Sequence, residues 1–145
     1  TSAFDSTKQF STVTTDIQAA LSSINRLTRH IENGFELDLS MTNLGGANLY
    51  KANLERANLK GANLRKANLK EANLRRANMW GCKLFGVDLQ SANLTNSRLD
   101  FADLTNAHLS FSRLDYAHLS RANLSHASIT WSQFFWGTFR WSQYR

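Results

Sequence analysis

The sequence predicts an all-β solenoid, a chain of very short extended pieces wound into stacked coils around one shared core. Three observations carry that prediction. From Leu39 to Tyr144 a large apolar residue recurs at every fifth position without a gap. It is leucine as far as Leu124, with Met79 as the one substitute, and then Ile129, Phe134, Phe139 and Tyr144. Two residues before each of these sits a small residue, alanine in most repeats and Thr42, Cys82, Val87, Ser97, Ser112, Ser132, Gly137 or Ser142 in the others. A period of five matches neither the 3.6 of an α-helix nor the 3.5 of a coiled coil, whereas a spacing of two within each unit is the strand period. Each unit therefore points two side chains inward and then turns a corner. One Leu and one Ala bury too little to hold a fold, so successive coils must share a continuous interior. Leu37, at the entry, is the only large residue in the small-residue column.

Stretches such as Ala47-Asn48-Leu49, Ala52-Asn53-Leu54 and Ala102-Asp103-Leu104 resemble the A-(N/D)-L-x-x signature of the pentapeptide-repeat family. The resemblance runs over residues 37–145 in unbroken phase. It implies a right-handed quadrilateral β-helix with four pentapeptides, hence 20 residues, per coil. The 22 units then make about 5.5 coils, a rod roughly 25 Å long at the usual strand spacing. The chain has no proline and seven glycines, so its corners must be turned without the usual punctuation.

Ahead of the repeats, residues 1–14 read as a loose polar segment and residues 15–34 as an α-helix, with the β-helix occupying 35–145. Ile17, Leu21, Ile24, Leu27 and Ile31 form an apolar stripe at helical spacing. Thr15 with Gln18 fits a capping box and Gly34 a helix stop. The expected role is a cap over the first coil. The other role is a linker to an upstream segment, because the chain starts at Thr1 without a methionine and some proteins of the resembled family carry transmembrane helices before the repeats. A membrane role is expected only through such a segment or through contact with anionic lipid. The single cysteine, Cys82, rules out an intrachain disulfide and fits a cytoplasmic location. No apolar run reaches the ~20 residues of a membrane span.

The net charge of +6 is unevenly placed. Residues 37–80 hold eight bases against three acids. Arg56, Lys60, Arg65, Lys66, Lys70, Arg75 and Arg76, with Lys51, are the candidate surface for an anionic partner. A 20-residue coil spreads them over all four faces, whereas a nucleic-acid duplex wants its cations in one stripe. Nucleic acid is therefore not the expected partner. Members of the resembled family that act on type II topoisomerases imitate DNA with acidic rods, and a charge of +6 departs from that pattern. Stacking n on n+20 further pairs Lys51 with Glu71, Glu55 with Arg75 and Lys83 with Asp103. It also pairs the rings of Tyr50, Trp80, Phe85 and Phe101 with Lys70, Lys60, Arg65 and Arg121, the last lying between Phe101 and Trp141. Asn48 with Asn68, and Asn53 with Asn73 and Asn93, should form amide ladders.

For chemistry, Asp88, His108 and Ser128 stack in triad order. Parallel side chains at ladder spacing supply neither a pocket nor an oxyanion donor, so no catalytic residue, cofactor or metal site is expected, and Cys82 is read as core filler. The aromatic C-terminus carries the other candidate surface. Phe134, Phe139 and Tyr144 continue the inward series, while Trp131, Phe135, Trp136 and Trp141 fall in outward slots, with Phe111 beneath Trp131. Such clusters mark interfaces, and end-to-end dimers occur in the resembled family. The expected function is a non-enzymatic scaffold or protein-binding module acting through its β-helical surface, with a homodimer through the C-terminal coil. The alternatives are a regulator of a DNA-processing enzyme such as a type II topoisomerase, and the cytosolic module of a membrane-tethered protein.

Overall fold

The computed structural model describes residues 37–134, close to five coils. The expected helix over 15–34 and the segment before it lie outside the described residues.

The coil length is 20 residues throughout. Every parallel bridge joins residue n to residue n+20, as in Asp38–Asn58, Asn58–Asn78 and Asn78–Arg98. Four ladders result, one per side of the rod. The first side carries residues 38, 58, 78, 98 and 118, the second 43 through 123, the third 48 through 128 and the fourth 53 through 133. Each extended piece has shrunk to a single bridged residue, the Asn of the signature or its substitute. Three backbone bonds tie each side to the next coil, for example Leu59 N–H to the Asn78 carbonyl, Gly61 N–H to Trp80 and Asn78 N–H to Ala57, all at 2.8–2.9 Å. A chain whose regular elements are one residue long thus still pairs its backbone polar groups.

The corners explain how proline and most glycines are dispensed with. In each unit the Leu carbonyl accepts the N–H of the small residue three positions on, as Leu74 does from Ala77 at 3.0 Å. The residue just before that small one always has positive φ. Glycine fills this place at 46, 61, 81 and 86, but non-glycine residues fill the rest, from Met41 and Lys51 to His126 and Trp131, with φ between 55 and 62°. A positive φ at the third place of a four-residue turn is the type II demand that glycine usually meets. Here it falls on Arg, Lys, Phe, Tyr and Trp, at a local cost of about 1 kcal/mol or more each. The Asn or Asp of the signature offsets this. Its side-chain oxygen accepts the N–H two residues on, inside the same turn, in Asn43, Asn53, Asn63, Asn73, Asp88, Asn93, Asp103 and others at 2.9–3.3 Å.

The interior is the two predicted columns. Leu54 through Leu114 and the alanines between them are at most 2% exposed, Met79 and Cys82 included. Burial fades toward both limits of the described span. Leu39 and Thr42 are half-buried, Leu119 and Ala122 are 4% and 8% exposed, and Leu124, Ala127, Ile129 and Ser132 are half-buried. Phe134, expected inside, is 42% exposed. A solenoid residue is sealed by the coils on both sides of it, and these residues lack a second described neighbour coil.

Candidate functional site

Burial pushes the Cys82 thiol up to about 12, and it donates to the Leu59 carbonyl at 2.8 Å. The row of Asp88, His108 and Ser128 exists as backbone bridges, but the side chains of Asp88 and Ser128 are engaged elsewhere. The Asp88 carboxylate accepts Gln90 N–H at 3.0 Å, and the Ser128 hydroxyl meets that of Ser110 at 2.8 Å. The three do not assemble as nucleophile, base and orienter. Among the described residues no three His, Cys, Asp or Glu side chains converge as metal ligands, and no helix is long and apolar enough to cross a membrane.

The surface divides into two zones. In the first, up to Trp80, amide ladders run along the four sides. Asn58 donates to Asp38, Asn63 to Asn43, Asn68 to Asn48, Asn73 to Asn53 and Asn78 to Asn58, at 2.8–3.3 Å. Asn93, expected as a further rung, is bridged to Asn73 through the backbone, and no amide-to-amide hydrogen bond joins the two. Above the ladders stand the bases. Arg56, Lys60, Arg65, Lys66 and Arg76 are exposed, and Lys70 and Arg75 half-buried. They follow the fourth, first, second and third sides, so the predicted belt rings the rod.

Two of the three expected ion pairs form. Lys51 lies 3.4 Å from Glu71 and Arg75 3.0 Å from Glu55. The third does not, since Asp103 turns to the N–H and hydroxyl of Thr105. Pairs within one rung replace it, Arg98 with Asp100 and Arg113 with Asp115. Tyr50 also departs from expectation. Its hydroxyl donates to Glu71 at 3.1 Å and its ring lies under Lys51, not Lys70. Hydrogen bonds to Tyr50 and then Glu71 hold the Lys51 ammonium above its ordinary range. Lys60 over Trp80 and Arg121 over Phe101 form as expected, at 5.3 and 5.4 Å. The Arg65–Phe85 contact does not appear among the described residues. Sequence reasoning missed that Trp80 and Phe101 themselves pack, with centroids 5.3 Å apart. They are 21 positions apart, a diagonal that stacking n on n+20 leaves out. The result is a column of cation, ring, ring and cation along one edge of the rod.

The second zone is aromatic. Phe111 and Trp131 occupy the same corner on successive coils and are 60% and 77% exposed. Tyr116 is 45% exposed at the next corner. Of the residues expected to form the C-terminal interface, Trp131 is outward as read, and Phe135, Trp136 and Trp141 lie outside the described residues.

The family profile of pentapeptide repeats matches in eight copies, over residues 37–65, 62–100, 82–114 and 102–140. The chain belongs to the pentapeptide-repeat family. The fold is accordingly the right-handed quadrilateral β-helix, and members of this family are in general non-enzymatic structural or binding modules. Solved structures similar to it include Rfr23, a pentapeptide repeat protein from the cyanobacterium Cyanothece 51142, at 24% identity over 68% of this chain and 84% of that one, with a TM-score of 0.42. HetL, involved in heterocyst differentiation regulation in Nostoc sp. strain PCC 7120, shares 29% identity over 68% of this chain and 60% of its own, TM-score 0.32. A thylakoid-lumen pentapeptide repeat protein of Arabidopsis thaliana shares 26% over 66% and 60%, TM-score 0.30. The chain thus spans most of the first and about three fifths of the other two. No curated protein matches.

Proposed function

We propose that this pentapeptide-repeat protein is a non-enzymatic scaffold of the cytoplasm that binds other proteins through the outer surface of its β-helix. The observation that carries this reading is the Phe111–Trp131 corner. Large rings held 60% and 77% exposed on a backbone-bonded coil are costly to leave in water and are preorganised for docking. Exposed aromatics of this kind are the anchors of protein interfaces, where they contribute more than the polar rim around them. A second copy of the chain is the proposed partner at this corner, with Phe135, Trp136 and Trp141 following Trp131 in sequence.

Affinity capture from the native cell, with wild type beside a Phe111→Ala, Trp131→Ala double variant, tests the reading. The expected result is a specific protein, or the chain itself, retained by wild type and lost by the variant at unchanged melting temperature. Equal capture by both would remove the aromatic corner as the docking site.

A further inference from the structure

The basic belt makes a demand that the aromatic corner does not. Both glutamates of the belt, Glu55 and Glu71, are already taken by Arg75 and Lys51. Arg56, Lys60, Arg65, Lys66 and Arg76 are exposed and Lys70 half-buried, with no acidic partner for any of the six among the described residues. Arg56 and Arg76 occupy the same corner on successive coils, where like charges stand about one strand spacing apart. That arrangement is unfavourable on its own and is relieved by an anion.

The shape of the belt then limits the anion. Lys60 follows the first side, Arg65 and Lys66 the second, Lys70 the third, and Arg56 with Arg76 the fourth. A flat bilayer or a duplex groove reaches one side or two. Only a partner that passes around the rod can engage all four. The aromatic rings in and beside the belt decide between the flexible polyanions. A single-stranded nucleic acid is held by bases stacked on open aromatic faces. Here each ring already carries a cation, Tyr50 Lys51, Trp80 Lys60 and Phe101 Arg121, and Trp80 and Phe101 pack on each other, so a stacking base competes with these contacts. What remains available is cationic charge, which suits carboxylates.

We propose that the belt is the docking site of a flexible acidic polypeptide segment, rich in Asp and Glu, that winds around the rod between its first and third coils. This rests on the protein-binding reading above but not on the aromatic corner, so either can fail alone.

The probe is a fluorescein-labelled oligoglutamate, titrated against the whole chain and followed by anisotropy. Oligouridylate and phosphatidylserine vesicles serve as comparison ligands. Four charge-reversal variants divide the belt by side: Lys60→Glu; Arg65→Glu with Lys66→Glu; Lys70→Glu; and Arg56→Glu with Arg76→Glu. Circular dichroism is used to check that each keeps the wild-type fold. If the segment winds around the rod, every variant weakens oligoglutamate binding, by roughly two- to fivefold per lost ion pair, and the affinity falls as salt rises. Loss confined to one side, tighter binding of oligouridylate or of vesicles, or no oligoglutamate binding at physiological salt would each overturn the proposal.

Discussion

Replacing Ala72 by leucine is the sharpest test of the interior. Ala72 is 1% exposed and stacks between Ala52 and Ala92, which are 2% and 0% exposed. Its backbone is fixed from both directions, with its N–H on the Leu69 carbonyl at 3.0 Å and its own carbonyl on Asn93 N–H at 2.9 Å. A leucine here has nowhere to go without lifting a coil and stretching the bonds that set the register. Overpacking a closed core typically costs 1–3 kcal/mol and occasionally more, and the upper end, about 3 kcal/mol, suits a slot with no free wall. For a chain of this size that lowers the melting temperature by roughly 10 °C. The control is Ala127→Leu, in an equivalent but half-buried slot, which should lose less than half as much. Leu37 shows that the column accepts leucine where the coil is not sealed on both sides. Thermal melts followed by circular dichroism give both numbers. An unchanged melting temperature for Ala72→Leu, or equal losses at the two sites, would refute the picture of one core closed by stacking.

Three further outcomes follow from the same packing. Ser97 is fully buried with its hydroxyl unpartnered among the described residues, in a column shared with Ala57, Ala77 and Ala117; Ser97→Ala should therefore raise stability by about 1 kcal/mol, read in the denaturant midpoint. Gly81 has φ +63 and nothing within 4 Å of an added Cβ, so Gly81→Ala should cost about 1 kcal/mol of left-handed strain alone, and its inter-coil bonds should keep their hydrogen-exchange order. The Cys82 thiol is raised from 9.0 to about 12 by burial. Because the folded value lies above the unfolded one, the stability it contributes is intact below pH 9 and is lost as pH rises toward 12. A thiol reagent at pH 8 should react only as the chain unfolds, and rapid reaction of the native protein would show the thiol is not sealed.

The interior was legible in the sequence because burial by stacking leaves a strict signal. Slots that face inward alternate between a large apolar residue and a smaller one, and every repeat from Leu44 to Ala122 reports that pairing. The coil length of 20 was not in the period; it came with the family signature, and the bridges bear it out. The role of asparagine was half legible. Its stacking was read, but the signature selects it mainly to accept an N–H inside its own corner, which a pattern of periods does not show. The surface was the least legible part. Each outward residue is free of the packing constraint, so its partner depends on side-chain reach. Trp80 finds Phe101 one position off the ladder, Tyr50 takes Lys51 and Glu71, and Asp103 prefers Thr105 to Lys83.

The same separation bears on function. In this fold the inward residues and the signature asparagines hold the rod, and the two positions after each leucine add one backbone bond per side to the next coil, as Arg56 N–H does to the Arg75 carbonyl, while their side chains point outward. Glycine would relieve the left-handed strain at the second of them, yet the chain places Arg56, Arg76, Phe101, Phe111, Tyr116 and Trp131 there. Each accepts a local penalty of about 1 kcal/mol that glycine would avoid. Their side chains point outward and contribute little to the core. Phe101 is used within the rod, between Trp80 and Arg121, whereas the proposed docking rests on Phe111 and Trp131. Every non-glycine corner carries the same strain, from Ser91 and Asn106 to Arg76 and Trp131, so what singles out the proposed surface is the exposed rings and the cations without an acidic neighbour among the described residues, and not the strain itself.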